Sequence, residues 1–190
     1  MDARGRLEES IAESRRALEA EPLSLIISAS LGLDLYYARH YDQAIKQLRK
    51  TIDLDRNFVP AHWYLGSVYE QKAMFAEAIA EFRQALSASG DDPRFVSALG
   101  RAYAISGQRK MAEDSLVRLQ EQSKQRYVPP IDIAIVYAGL KDMDQTFKYL
   151  EMASEDRSVF LVWLKVSPHW DGIRDDPRYQ DLLRRMHLTP

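Results

Sequence analysis

The sequence contains no cysteine and no long uninterrupted run of apolar residues. The absence of cysteine excludes disulfide scaffolds, thiolate metal sites and cysteine nucleophiles, and it leaves the compartment open because reducing and oxidising environments both tolerate it. The most apolar stretch, residues 23–37, is interrupted by Ser24, Gly32 and Asp34. It falls short of the roughly 18 apolar residues that a membrane-spanning helix needs, so we expect no membrane insertion.

A large excess of charge of either sign is also absent. The 26 lysine and arginine residues nearly balance the 28 aspartate and glutamate residues, which gives a net charge of -2. This balance argues against direct nucleic acid binding, although a local basic patch is compatible with it. With 46% hydrophobic and 28% charged residues among 190, the composition is that of a globular protein with one domain or at most two.

Recognisable catalytic and metal-binding motifs are missing as well. The 4 histidines form neither an HxxxH nor an HExxH pattern, and there is no glycine-rich phosphate loop and no GxSxG motif. The paired aspartates at Asp91–Arg94 and Asp175–Arg178 indicate helix starts, with Asp as the N-cap and Pro at the first helical position, rather than a cation site. The sequence therefore predicts a protein without enzymatic activity, cofactor or metal.

What the sequence does contain is an internal repeat of 34 residues. A large aliphatic residue followed by a small one recurs at this spacing, as Leu31-Gly32, Leu65-Gly66, Leu99-Gly100 and Ile133-Ala134. Three further columns keep the same phase: Ala44, Ala78, Ala112 and Thr146; Leu48, Phe82, Leu116 and Leu150; and Leu35, Tyr69, Tyr103 and Tyr137. Such self-similarity indicates a repeat architecture.

Each repeat reads as two helices. In the second repeat, His62, Leu65, Gly66 and Tyr69 are spaced i, i+3, i+4 and i+7, which places them on one face of a first helix. The segment 78–85 gives the same pattern on a second helix. Because glycine inside a helix costs about 1 kcal/mol relative to alanine, its recurrence predicts that the helix axes approach each other closely there.

This pattern resembles the tetratricopeptide repeat, in which W-x2-L-G-x2-Y on one helix precedes A-x3-F on the next. The best match is residues 62–69 followed by Ala78-x3-Phe82, with His62 in place of the family's Trp. The resemblance implies an all-α fold, a right-handed α-solenoid of antiparallel helix pairs. We place the repeat array at residues 7–157, as a half repeat over 7–22 and repeats that start near residues 25, 59, 93 and 127.

Residues 158–190 are predicted to form a C-terminal helical cap, because the open end of a solenoid exposes apolar surface. Ser158–Val166 reads as an apolar helix, His169–Arg174 as a loop and the residues from Asp175 onward as an amphipathic helix. The segment Ile173–Met186 resembles the closing segment of many bacterial tetratricopeptide proteins, which implies a bacterial source and a regulatory parent chain. The start in mid-repeat favours a fragment of a longer chain over a lone capping helix.

A solenoid of this kind presents a concave face, which in the tetratricopeptide family is lined mainly by the first helix of each repeat. The positions left over after the helix-pair contacts predict a set of partner-binding residues: Ile26, Leu33, Tyr36, Tyr37, Trp63, Ser67, Glu70, Arg94 and Arg101. Tyrosine, tryptophan and arginine are common in binding hot spots. We therefore expect an apolar peptide or helix in the groove, with a carboxylate or a helix C-terminus meeting Arg94 or Arg101.

Alternatives stay open on the sequence alone. Ile26 and Leu33 could instead cover the missing half repeat, and Ile131 and Ile135 could be covered by the folded-back tail. The chain could also be a homo-oligomerisation module, a homodimer that pairs its half-repeat edge and buries Leu18, Ile26 and Ile27 across a two-fold axis. The leading prediction is a cytoplasmic protein–protein interaction scaffold, the regulatory part of a larger bacterial signalling or transcription-regulating protein. An extracytoplasmic location follows if the parent chain is membrane-anchored.

Overall fold

The computed structural model describes residues 3–188, with side chains from Arg6 onward. These residues form helices and turns, with no strand among them, and they divide into two compact units at Asp91 and Asp92. Unit 1 contains α1 (Ala3–Ala20), α2 (Leu25–Tyr37), α3 (Tyr41–Leu54), α4 (Val59–Gln71) and α5 (Phe75–Ser89). Unit 2 contains α6 (Pro93–Ile105), α7 (Arg109–Ser123), α8 (Pro130–Leu140), α9 (Met143–Glu155) and α10 (Pro177–Arg185).

The helices pair as the repeat period predicts. In unit 1, α2 packs against α3 and α4 packs against α5, while α1 packs against α2 as the second helix of a half repeat would. In unit 2, α6 packs against α7 and α8 packs against α9. The predicted all-α solenoid of helix pairs is therefore confirmed, and the division into an array over 7–157 and a cap over 158–190 stays a prediction.

Two columns of the repeat meet inside each pair of unit 1. A Cβ atom built on Gly32 would lie 2.5 Å from Leu48 Cδ2, and one built on Gly66 would lie 2.6 Å from Phe82 Cε1. Leu48 and Phe82 are themselves buried, at 0% and 1% exposure. The absent side chain of the glycine thus makes the space that the large residue of the partner helix fills, which explains why both columns recur together.

Unit 2 shows the same close approach with different partners. A Cβ atom on Gly100 would lie 2.9 Å from Ser115 Cβ on α7 and 3.0 Å from Val136 Cγ2 on α8. On α8, a Cβ atom on Gly139 would lie 3.0 Å from Ala104 Cβ. Glycine here therefore brings α6 close to its partner in the pair and to the first helix of the next repeat.

The turn inside each pair places one residue in the left-handed backbone region. These residues are Arg39, Ala73, Gly107 and Lys141, with φ of 67°, 56°, 81° and 62°. In each turn the N–H of the following residue donates to the carbonyl of the leucine/tyrosine column at 2.8 to 3.0 Å. This is the Schellman arrangement that closes a helix C-terminus. Only Gly107 adopts this φ without steric cost. Glycine therefore signals the left-handed residue in one of these turns, and the other three turns carry no such signal in the sequence.

The predicted helix starts at the two Asp-Asp-Pro-Arg segments are confirmed. The side chains of Asp92 and Asp176 each accept a hydrogen bond from the backbone N–H two residues later, at 2.9 Å. The proline after each aspartate begins the helix. The start of α8 lies at Pro130, later than the predicted position near residue 127, because a residue before proline is kept out of the helical region and Pro129 adopts ψ of 129°.

The structure corrects two predictions about the tail. Within the segment predicted as an apolar helix, Val159–Trp163 form a 3-10 helix instead of an α-helix. The segment predicted as a loop is also a 3-10 helix, Pro168–Ile173. Short 3-10 helices are held by few hydrogen bonds and leave no clear period in the sequence, so an apolar run alone did not distinguish them.

The tail shares its core with α8 and α9. The residues buried together include Ile131, Phe147, Leu150, Leu161, Leu164, Trp170, Tyr179 and Leu182. The Tyr179 hydroxyl donates to the Leu164 carbonyl at 2.8 Å, and the Arg178 guanidinium lies 4.1 Å from the centre of the Phe147 ring. These contacts fix α10 against α9, so the tail covers apolar surface that the last repeat would otherwise expose.

His62 replaces the family's tryptophan with a buried imidazole that pairs with a carboxylate. Its Nδ1 lies 2.5 Å from Glu81 Oε2, and its Nε2 lies 2.9 Å from the Arg56 carbonyl oxygen. Both partners are acceptors, so both ring nitrogens donate only when the imidazole is protonated. The Glu81 hydrogen bond, against the effect of burial, raises the pKa of His62 above its usual value. The pair therefore ties α4 to α5 most strongly when His62 is charged.

We expect Gly66→Ala to destabilise unit 1 by about 1–3 kcal/mol, because the added methyl group overlaps the Phe82 ring and this overpacking outweighs the better helix propensity of alanine. The measurement is urea unfolding followed by circular dichroism. Gly172→Ala is the matched control, since a Cβ atom there meets nothing within 4 Å. Equal stability of the two variants would contradict the close-approach explanation.

We expect the unfolding free energy of unit 1 to fall as the pH rises through the raised pKa of His62. A raised folded-state pKa gives stability that is fully present below the unfolded value and is lost above the folded value. Glu81→Gln should remove most of this pH dependence and about 1–3 kcal/mol of stability near pH 6. The measurement is urea unfolding at several pH values, with Glu77→Gln, at an exposed position on α5, as the control. An unchanged pH dependence in Glu81→Gln would count against the pair.

Candidate functional site

The first helices of unit 1 carry most of the predicted partner-binding residues. On α2, Ile26 is 71% exposed and Leu33, one heptad later on the same side, is half-buried. On α4, which packs against α2, Trp63 and Tyr64 are half-buried. Together with the half-buried Tyr37 these residues make an apolar surface with several aromatic rings, which we call the aromatic surface.

On each of the two helices, an aromatic ring of this surface contacts the ring of its neighbour in sequence. The ring centres of Tyr36 and Tyr37 are 5.3 Å apart, and those of Trp63 and Tyr64 are also 5.3 Å apart. Burial, then the neighbouring Tyr64 and Asp34, raises the pKa of Tyr37, so its hydroxyl stays protonated at all physiological pH values. The surface thus offers rigid rings together with a neutral hydroxyl, a combination that protein interfaces favour.

Several predicted partner-binding residues are buried. Tyr36 and Ser67 are 2% and 4% exposed, and the Ser67 hydroxyl donates to the Trp63 carbonyl at 3.1 Å along its own helix. Glu70 and Arg101 are also buried, at 5% and 9% exposure. A role of these four residues in partner contact stays a prediction. In the conformation of this structure, a partner would first contact their more exposed neighbours.

In unit 2 the most accessible predicted residue is Arg94 on α6. Its side chain is 41% exposed, and its guanidinium donates to both carboxylate oxygens of Asp92, at 3.1 and 2.7 Å. The hydrogen bonds from Arg94, against the effect of burial, hold the pKa of Asp92 below its usual value. A partner carboxylate that binds Arg94 would therefore share this guanidinium with Asp92.

Burial by other parts of the same chain applies to the apolar residues of α8 but not to Ile26 on α2. Ile131 lies in the core that the tail forms with α8 and α9, and Ile135 packs against the same core. Trp170 belongs to this core, whereas Trp163 is 43% exposed. At the other end, Ile26 is open to solvent, so the surface of α2 is accessible where that of α8 is covered.

Among residues 3–188, no group of three or more histidine, aspartate and glutamate side chains is placed to hold a metal ion. His62 is engaged by Glu81 and the Arg56 carbonyl, and the other histidines lie apart from it in the sequence. None of the helices in the part of the chain that the structure describes is long and apolar enough to cross a membrane.

The sequence analysis missed two polar residues that the structure makes prominent. Asp132 lies in the first turn of α8, and its Oδ2 atom is buried without a hydrogen-bond partner among the described residues. Tyr64 joins the aromatic surface next to the predicted Trp63. An acidic residue just after two prolines was the one available signal for Asp132, and its neighbours on α6 are visible only in three dimensions.

Comparison with known proteins points to the same architecture. The tetratricopeptide repeat family matches residues 29–93. A comparison with curated proteins finds no match.

Three solved structures show how far the fold is shared. MamA has a TM-score of 0.55 at 20% identity, over 83% of this chain and 95% of that one. YrrB, described as a tetratricopeptide repeat protein with an unusual peptide-binding site, has a TM-score of 0.53 at 19% identity, over 90% and 89%. A tetratricopeptide repeat protein from Parabacteroides merdae has a TM-score of 0.57 at 13% identity, over 98% and 75%. The family match identifies tetratricopeptide repeats over residues 29–93, and the solved structures show that the whole chain shares the fold of such repeat proteins.

Proposed function

We propose that this chain is a non-catalytic protein–protein interaction scaffold that binds a peptide or helix of a partner protein on the first helices of its repeats. The observation that carries this proposal is the aromatic surface of unit 1, where Ile26 is 71% exposed and Leu33, Tyr37 and Trp63 are half-buried. Exposed apolar groups clustered in this way are typical of interaction sites. YrrB, which shares the fold, has a peptide-binding site.

The chemistry of the aromatic surface favours an apolar occupant. Trp63 and Tyr37 present large faces whose rotamers are already restrained by neighbouring rings, so little conformational entropy is lost when a partner binds. Leucine, isoleucine or phenylalanine side chains of an amphipathic helix would bury Ile26 and Trp63 from water. The Tyr37 hydroxyl supplies a neutral hydrogen-bonding group for the partner's backbone.

Unit 2 adds a cationic group for an acidic partner residue. Arg94 is the exposed member of its ion pair with Asp92, and a partner carboxylate or helix C-terminus can approach it from solvent. Arg101 lies seven residues, about two helical turns, further along α6 and is buried. Its part in binding would therefore be to shape the electrostatic potential.

In its wider context we place the chain in the cytoplasm, as the regulatory part of a larger bacterial signalling or transcription-regulating protein. The similarity of Ile173–Met186 to the closing segment of bacterial tetratricopeptide proteins supports this context. Such a segment completes the core of the last repeat, as the contacts of Tyr179 and Arg178 do here.

Homo-oligomerisation is the second candidate function, and one observation favours it. Leu23 is 78% exposed and Ile26 is 71% exposed at the start of α2, beside the half-buried Leu18 of the half repeat. A second copy related by a two-fold axis would bury these apolar groups against each other.

We expect Trp63→Ala to weaken binding of a partner peptide by about 10- to 100-fold, because truncating a central aromatic anchor commonly costs 2 kcal/mol or more. The probe is a peptide selected for this chain from a random display library, and its affinity is measured by isothermal titration calorimetry. Trp163→Ala removes an exposed tryptophan of unit 2 and is the matched control. Equal affinities of the two variants would place the peptide elsewhere, and failure to select any peptide would count against the scaffold.

Sedimentation velocity at two protein concentrations separates the two candidate functions. The leading proposal predicts one species whose sedimentation coefficient does not change with concentration. The alternative predicts a dimer that grows with concentration and that Ile26→Lys disrupts, because a charge replaces an exposed apolar group at the interface. A dimer that persists unchanged in Ile26→Lys would contradict the proposed dimer interface.

A further inference from the structure

The first turn of α8 contains a buried carboxyl group with an unused hydrogen-bonding atom. Asp132 lies two residues after Pro130, where the helix begins, and its Oδ2 atom accepts no hydrogen bond from the described residues. A buried carboxylate oxygen without a donor is costly, because ionised groups lose far more than neutral ones when they leave water. The arrangement therefore suits a protonated Asp132 better than an ionised one.

The surroundings of Asp132 supply little positive charge to offset its ionisation. From α6, Asp92 and Arg94 face it, and the Arg94 guanidinium is already held by both oxygens of Asp92. From the segment before α8, Tyr127 lies near it, with its hydroxyl donating to Asp156 at 3.2 Å. Arg126, in the same segment, acts on Asp92.

The start of the helix also fails to stabilise a carboxylate here. Free N–H groups in a first helical turn normally favour a negative charge. Pro129 and Pro130 have no N–H, and the N–H of Asp132 itself donates to the Pro129 carbonyl at 2.9 Å. The two prolines thus leave fewer N–H donors than an acidic residue usually finds at this position.

We propose that Asp132 is a proton-operated latch between the first turns of α6 and α8. While Asp132 is neutral, its carboxyl group stays buried and α8 packs against α6. Asp132 is half-buried, and it is its Oδ2 atom that is sealed from water, so after loss of the proton the charge on Oδ2 is better hydrated when the first turn of α8 separates from α6. Burial, followed by the nearby Asp92, raises the pKa of Asp132 to about 7, against the lowering effects of Arg94 and of a hydrogen bond with Ser97. The latch therefore opens as the pH rises through neutrality.

The energetic sign follows from the raised pKa. The folded chain binds the Asp132 proton more tightly than the unfolded chain, so the stability contributed by the neutral form decreases as the pH rises from about 4 to about 7. The same free energy can be relieved by local opening, which needs far less disruption than global unfolding. We therefore expect the effect first in the exchange of amide hydrogens around the latch.

Hydrogen exchange measured by mass spectrometry tests the latch on the full chain. After correction for intrinsic exchange rates, protection of segments 92–101 and 128–137 should fall about tenfold or more between pH 5.5 and 8.5. Asp132→Asn should keep its protection at the higher pH, because an amide stays neutral. Asp114→Asn, at an exposed position on α7 in the same unit, should behave like the unsubstituted chain.

Two results would overturn the latch. One is a loss of protection in Asp132→Asn that matches the unsubstituted chain. The other comes from an NMR titration of the side-chain carboxyl carbon of Asp132 in the unsubstituted chain, where a midpoint below about 5 would place the group among ordinary aspartates. The titration needs no variant, so it decides even if Asp132→Asn does not fold.

Discussion

The contact on which this structure depends is the close approach of paired helices at a small residue. Gly32 and Gly66 leave room for Leu48 and Phe82, and each pair is fixed by a large side chain that fills the place of a missing one. This contact sets how far apart the helices lie, so it also decides which side of each first helix faces away from its partner. The exposed Ile26 on α2 and the half-buried Trp63 on α4 lie on the sides that this orientation leaves away from the partner helix.

Buried ionisable groups distinguish the two units. His62 in unit 1 is held by two acceptors, which favour its charged form, whereas Asp132 in unit 2 has one buried oxygen without a donor and an acidic neighbour, which favour its neutral form. Opposite environments thus have the same consequence, because each folded unit binds a proton more tightly than its unfolded chain does. Proton binding therefore stabilises both units: in unit 1 it gives His62 a charge that its acceptors favour, and in unit 2 it keeps Asp132 neutral.

The two ends of the chain treat apolar surface differently. The tail packs Trp170 and Tyr179 into the core of α8 and α9 and so covers Ile131. The start of α2 has no such cover over Ile26. Since apolar groups exposed together favour association, the uncovered start of α2, with Leu23 and Ile26, is a surface available for a partner, and this is in keeping with the proposed scaffold function.

Periodicity by itself determined the helix pairs, the glycine contacts and the helix starts at Asp92 and Asp176, because these depend on local spacing and capping. Only the tertiary structure decided that Ser67 and Arg101 are buried, that the tail forms 3-10 helices, and that Asp132 faces Asp92 across a helix boundary. The physical reason is the distance along the chain between the interacting groups. Repeat spacing determines contacts within a helix and with its neighbour, whereas burial and pKa depend on residues that are far apart in the sequence, such as Asp92 and Asp132.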